Sequence, residues 1–350
     1  MTNRVTRLNS LLTEGQSFLV TKPANIRYLC GYSGSNGILL VETSAAKLFT
    51  DSRYAIQANQ ECFDVEVVIA NDIYEEAAKH FAGVELLIED AHLSVAIFSR
   101  LTQLVNPKQV TKTTVFVESL RAVKDSAELE TISTACKIAT TALSNIQPQI
   151  QIGQTELEIC RMLEAEMIAV GADSIAFESI VATGPNSAIA HHQPTHRPLE
   201  KGDLLKIDFG AKVSGYHSDC TRTFIAGAPQ DWQTEIFQAV KSAQQGSREV
   251  LTAGVLASDV VAPTLTQFEQ SGLLDRFGHG LGHGVGLEIH EDPFLSRTLT
   301  TKLEAGTVVT IEPGLYLPDL GGVRIEDTVV ITDSGYTNLT DLPYELMQVG

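Results

Sequence analysis

No apolar run in this sequence approaches the ~18 residues that a membrane span requires, and Met1 to Ser10 is too polar for a signal peptide. A cytoplasmic protein is therefore expected. Cysteine is scarce as well: five residues, at positions 30, 62, 136, 160 and 220, with no C-x-x-C spacing among them. An odd, scattered set of this kind argues for reduced thiols and against a disulfide or zinc framework. Positive charge is outnumbered, with 25 Lys and Arg against 43 Asp and Glu and a net charge of -18. Nucleic-acid phosphates would be repelled by such a chain, so a nucleic-acid partner is disfavoured. Low-complexity tracts are missing too.

What is present is an ordinary globular composition, 350 residues with 43% hydrophobic content, enough for two cores. From residue 1 to about 118, strand patterns (17–21, 37–41, 47–50, 65–69 and 84–89) alternate with helical stretches, the mark of an α/β domain. A further strand-like run, V-F-V-E at 115–118, leads into a polar crossing at Arg121–Lys124 without a Gly/Pro linker. Domains at 1–121 and 122–350 are expected, packed rather than loosely tethered. Asp125 with Glu128, and Thr155 with Glu158, read as capping boxes opening helices to about Asn145 and to Val170, where Gly171 stops the second. Further helices are expected near 230–252 and 258–271. Two helices before each of two hairpins suggest a pseudo-symmetric α+β domain.

Those hairpins carry the chemistry. In K-I-D-F-G-A-K-V-S-G-Y-H-S-D-C-T-R, Asp208 and Asp219 are equidistant from the centre of a Lys212–Gly215 loop, so a symmetric pairing sets them face to face. Directly opposed residues lie ~5 Å apart at Cβ, where like charges destabilise a sheet unless a positive charge intervenes. One Asp beside a turn is commonly a solvated strand end, but the arrangement recurs. Glu312 and Glu326 flank Leu317–Gly321 and are equidistant from Asp319. Four inward carboxylates need neutralising, by arginine or by cations. Between the hairpins, residues 278–293 hold three histidines, 279, 283 and 290, among five glycines that allow close backbone approach.

The strings I-D-F-G, S-D-C-T-R-T, G-H-G-L-G-H-G-V-G-L-E-I-H-E, I-E-P-G-L-Y and V-R-I-E-D resemble the proline-specific branch of the pita-bread metallopeptidases, the aminopeptidase P and prolidase group. N-I-R-Y-L-C-G-Y-S-G and T-D-S-R-Y extend the likeness to the N-terminal segment, so it spans essentially the whole chain. The resemblance implies a creatinase-like α/β domain at 1–121 and an α+β pita-bread (creatinase/aminopeptidase-like) catalytic domain at 122–350. It implies two metal ions held by Asp208, Asp219, His283, Glu312 and Glu326, with Asp208 and Asp219 on one ion, His283 on the other, and the glutamates bridging or capping. Four oxygen ligands to one nitrogen suit Mn²⁺, with Co²⁺ or Zn²⁺ as alternatives.

By the same resemblance, Glu312 relays the proton of the attacking water, and His279 and His290 stabilise the tetrahedral species and orient the leaving imide. His191, Tyr316 and Arg324 hold the substrate, although Ile189-Ala190-His191 stands where the family has Leu-Pro-His. No role falls to His192. The implied activity is cleavage of the Xaa-Pro bond at the N-terminus of peptides, as an Xaa-Pro aminopeptidase, with Xaa-Pro dipeptidase as the alternative. Because the imide nitrogen lacks a hydrogen, its pocket should be apolar and shape-matched. All five ligand positions are filled, which disfavours both a metal-free binding module and a metal-free creatinase. A homodimer is implied, one subunit's N-terminal domain helping to close the site of the other.

Overall fold

The structure, a computed structural model, describes residues 4–113 and 115–350. By its internal contacts the chain divides into two compact units, 1–121 and 122–350. Among the described residues no helix is long and apolar enough to cross a membrane.

The first unit is built on a six-stranded mixed sheet: β1 (Gln16–Val20), β2 (Ile38–Glu42), β3 (Ala46–Thr50), β4 (Glu66–Ile69), β5 (Glu85–Glu89) and β6 (Gln109–Thr113). The order is β4-β3-β2-β1-β5-β6, with β1, β2 and β3 antiparallel and the outer pairings parallel. Alternating residues such as Leu19, Ile38, Leu40, Leu86 and Ile88 share one face, where Ile73 and Ala77 of one helix and Leu101 of another cover them. Each of the five strand patterns in the sequence becomes a strand displaced by a residue at most.

The sixth pattern does not. V-F-V-E at 115–118, expected as a strand, opens the helix Phe116–Ala122, and the sixth strand is the polar run Gln109–Thr113. Val115 takes a φ of 55°, outside the range of any strand. Beyond it the packing overrides β-propensity: Phe116 meets Phe18 edge to face at 5.4 Å, Val117 is buried, and Glu118 accepts a hydrogen bond from Asn25.

In the second unit both capping boxes form as read, opening helices Ser126–Ile146 and Glu156–Val170; the latter ends at Gly171 with a φ of 121°. Helices Asp231–Glu249 and Ala257–Gln270 follow. The first two helices cover a four-stranded sheet whose central strands are Leu204–Phe209 and Cys220–Ala226, burying Leu143, Leu163, Ile207 and Phe224. Cys220 points into that core, away from the carboxylates. Helix Ala257–Gln270 covers a five-stranded sheet containing Gly282–Gly284, Val308–Ile311 and Asp327–Thr332, through Val260 and Val261 against Val309, Ile311 and Val329.

The two sheets meet where the carboxylates are. An isolated antiparallel bridge joins Thr221 to Glu326, and the Thr328 hydroxyl donates to the Asp219 carbonyl at 2.7 Å. The second hairpin has the expected register, Gly314 opposite Arg324 and Ile311 opposite Asp327, about Asp319, whose φ is 63°. The first differs. Its loop is the two-residue turn Ser214–Gly215, both at positive φ, and Asp208 pairs with Thr221 rather than with Asp219. Side chains alternate along a strand, so a displacement of two residues leaves Asp219 on the same face as Thr221, diagonal to Asp208 rather than opposite it.

Candidate metal centre

Strand ends deliver the acidic groups. Asp208 lies near the end of Leu204–Phe209, Asp219 and Glu326 immediately precede Cys220–Ala226 and Asp327–Thr332, and Glu312 follows Val308–Ile311. His283 sits at the middle of Gly282–Gly284, where a Cβ at Gly282 would fall 2.0 Å from the Thr310 carbonyl oxygen and one at Gly284 2.5 Å from that of Asp292. These glycines allow the backbone carrying His283 to press between its neighbours.

One ligand atom from each of Asp219, His283 and Glu326 falls within 4.8 Å of the others, all three residues being buried. His283 Nε2 lies 3.6 Å from Asp219 Oδ2 and 3.5 Å from Glu312 Oε1. Its Nδ1 donates to the Gly284 carbonyl at 3.1 Å, so in the neutral ring Nε2 turns a lone pair toward the carboxylates. Burial, with the neighbouring His290, lowers the His283 pKa to about 4, which favours that neutral ring.

The carboxylates are under-compensated. Burial and then mutual repulsion push Asp219 and Glu326 well above the usual carboxylate range. Glu312 rises to about 8, burial and Asp208 outweighing the pull of Arg324. Arg324 ion-pairs with Asp208 through Nη2, while Asp208 Oδ1 is buried without a hydrogen-bond partner. Thr221 donates to Glu326 Oε2 at 2.6 Å and accepts from Arg324 Nε at 3.0 Å. One guanidinium faces four carboxylates; Asp208 has an orphaned oxygen, and the His283 lone pair is turned toward Asp219 and Glu312. Such a donor set fits divalent cations.

A chain of hydrogen bonds backs the cluster. Arg324 Nη1 donates to Tyr316 Oη at 2.8 Å, the Tyr316 hydroxyl donates to His279 Nε2 at 3.0 Å, and His279 Nδ1 donates to the Gly280 carbonyl at 2.7 Å. Burial, then Arg324, lowers His279 to about 4, which matches the neutral ring this chain requires. His290 stands edge-on to His283 at 4.3 Å between ring centroids. His191, His279, His290, Arg324 and the five candidate ligands all line one cavity of about 420 Å³, and Phe177, Ile180, Ile289 and Phe294 supply its apolar wall. Tyr316 stands between Arg324 and His279.

Sequence reasoning does not single out Thr221 or the four apolar residues of the wall. Thr221 is within its reach: it follows Asp219 by two residues, so the strand period puts both on the carboxylate face.

Residues 130–333 match metallopeptidase family M24, and residues 4–123 match the creatinase/prolidase N-terminal domain. The chain belongs to the M24 metallopeptidases. Its two-part architecture, a creatinase-type N-terminal unit before a pita-bread catalytic unit, is the one the resemblance implies. It is 35% identical to the Xaa-Pro dipeptidase of Pyrococcus furiosus over 99% of this chain and 100% of that one. Among solved structures it is similar to the Xaa-Pro dipeptidase from Bacillus anthracis, with a TM-score of 0.95 and 35% identity over 99% of both chains. The X-Pro aminopeptidase from Thermotoga maritima MSB8 gives a TM-score of 0.90 and 34% identity over 98% of this chain and 100% of that one. As an M24 member the chain is a metallo-exopeptidase, and Asp219, His283 and Glu326 form a group that could hold a metal ion.

Proposed function

We propose that the chain is a dinuclear-metal exopeptidase that hydrolyses the Xaa-Pro bond, with Xaa-Pro dipeptides as its substrates. The observation that carries the chemistry is the convergence of Asp208, Asp219, His283, Glu312 and Glu326 on one cavity that also has an apolar wall of Phe177, Ile180, Ile289 and Phe294. The dipeptide preference draws support from full-length similarity to Xaa-Pro dipeptidases, which favours that alternative over the aminopeptidase reading.

Asp208, Asp219, His283, Glu312 and Glu326 would hold the two ions, and Mn²⁺ best matches four carboxylates and one imidazole. When bound, such ions act as Lewis acids and make a water nucleophilic near neutral pH. Glu312, which opens on the cavity, accepts and relays the proton of the attacking water. Arg324 orients Asp208. Tyr316, assigned to substrate by the resemblance, is better read as fixing the His279 ring, since its hydroxyl is engaged by both Arg324 and His279. His290 stabilises the tetrahedral species and orients the leaving imide, and His191 holds the substrate. The wall of Phe177, Ile180, Ile289 and Phe294 suits a pyrrolidine ring, whose nitrogen has no hydrogen to donate. A homodimer in the cytoplasm completes the proposal, and light scattering should return twice the chain mass of 37.9 kDa.

A specific observation keeps the aminopeptidase reading as the second choice. Arg324 is the one Lys or Arg among the described cavity-lining residues, and Asp208, Tyr316, Thr221 and the Ala190 carbonyl already engage it. A dipeptide's proline carboxylate would have to compete for it. Comparing kcat/KM for Ala-Pro with that for Ala-Pro-Ala-Ala decides between them: the dipeptide should win, and a clear preference for the tetrapeptide would make the chain an aminopeptidase.

A further inference from the structure

The loop that presents His191 runs from the end of strand Ile180–Thr183 to the start of strand Leu204–Phe209, and two buried charges of opposite sign grip it. Glu156, the first residue of helix Glu156–Val170, is fully buried. Its Oε1 accepts from Thr183 N at 2.7 Å, Thr183 Oγ1 at 3.0 Å and Asn186 Nδ2 at 2.9 Å. Its Oε2 accepts from His192 Nε2 at 2.8 Å, Thr195 N at 2.9 Å and Thr195 Oγ1 at 2.6 Å. Burial alone would raise this acid; the hydrogen bonds of Thr195, Thr183, His192 and Asn186 outweigh it and hold the carboxyl down to about 2.

On the other side, the fully buried Lys206 donates to the carbonyls of Ile189 at 2.7 Å, Ser187 at 3.1 Å and Ala190 at 3.4 Å. Three carbonyls use all three donors of an ammonium, and no carboxylate shares them among its hydrogen bonds. The loop is thus held by its carbonyls on Lys206 and by its N–H and side-chain donors on Glu156. His191 stands between these grips: Ala190 before it is tethered through its carbonyl, and His192 after it through its ring. His192 is buried, whereas His191 is exposed and lines the cavity.

We propose that Glu156, acting through His192, and Lys206 are positioning residues of this site, fixing the loop so that the His191 imidazole stands in the cavity before a peptide arrives. This rests on the reading of His191 as a substrate-holding residue. Neither Glu156 nor Lys206 touches the substrate. Their contribution is preorganisation, which lowers the cost of binding rather than the chemical barrier.

The test uses the Mn²⁺-loaded enzyme and Ala-Pro as substrate. His192→Phe removes the donor to Glu156 and should raise KM about tenfold while kcat stays within about threefold. His192→Gln, whose Nε2 reaches as far as the histidine's, should restore the KM of the parent. The double variant His191→Ala/His192→Phe should be no worse than His191→Ala, because the second change acts through the first residue. An unchanged KM in His192→Phe, or losses that multiply in the double variant, would overturn the proposal. Hydrogen exchange of peptides covering 184–197 reads the grip without any turnover, so it decides even if the parent cleaves neither Ala-Pro nor Ala-Pro-Ala-Ala. That failure would remove the proposed function. Exchange should accelerate there in His192→Phe and in Lys206→Met, and unchanged exchange in both variants would sink the clamp.

Discussion

Two sets of buried carboxylate in the second unit behave in opposite ways. Glu156 is surrounded by hydrogen-bond donors and is held down to about 2, although burial works against it. Asp219 and Glu326 are buried too, but they face other carboxylates and are driven upward. Desolvation is common to both; what differs is the company each acid keeps. A buried carboxylate furnished with N–H and O–H donors is a structural tie. A buried carboxylate furnished with more carboxylates and an imidazole lone pair awaits a cation. The distinction separates the carboxylate proposed to hold the His191 loop from those proposed to hold the metal.

The largest effect that can test this contrast is loss of the nitrogen ligand. His283→Ala should lower kcat/KM for Ala-Pro by about a thousandfold or more and release bound metal, both measured on the same preparation. Full activity with metal retained would mean that His283 is not a ligand.

A smaller effect compares the two kinds of acid directly. In the metal-free chain, Glu156→Gln should cost about 2 kcal/mol, because an amide nitrogen then faces donors that require an acceptor. Glu326→Gln in the same metal-free chain should raise the thermal midpoint, since it removes a like charge from a crowded cluster. Equal destabilisation by both changes would erase the distinction.

Smaller again is the pH dependence. Asp219, Glu326 and Glu312 bind protons more tightly in the folded metal-free chain than they do unfolded. Their contribution to stability is therefore complete in acid and is lost as pH rises from the ordinary carboxylate range through about 8, the position of Glu312. Above the ordinary histidine range, where the lowered His279 and His283 no longer add an opposing slope, the thermal midpoint of the metal-free chain should fall between pH ~7 and pH ~8, and Mn²⁺ should flatten that slope by replacing the protons. A metal-free midpoint that rose across this interval would contradict the crowding of the carboxylates.

Much of this fold and site is legible in the amino-acid sequence. The capping boxes at Asp125 and Thr155 are local chemistry and form as expected, and the five β-runs of the first unit keep their places. Asp319 marks the centre of the second hairpin, and the pairs on either side of Glu312 and Glu326, Ile311 with Asp327 and Gly314 with Arg324, have the register expected about it. The first hairpin differs in register because the tightness of the Ser214–Gly215 turn is a backbone property that a string of turn-forming residues leaves open. Asp219 stays on the right face only because the displacement is an even number of residues. Val115 to Glu118 departs from expectation for another reason: tertiary contacts with Phe18 and Asn25 override a β-prone composition. His192 is unreadable from sequence, since its partner Glu156 is 36 residues away along the chain and nothing periodic connects them.

The central claim is that Asp208, Asp219, His283, Glu312 and Glu326 form a metal centre. Crystals grown with Mn²⁺ and measured near the manganese absorption edge test it most directly. Strong anomalous peaks should appear among these five side chains, and an anomalous map without a peak there would contradict the account.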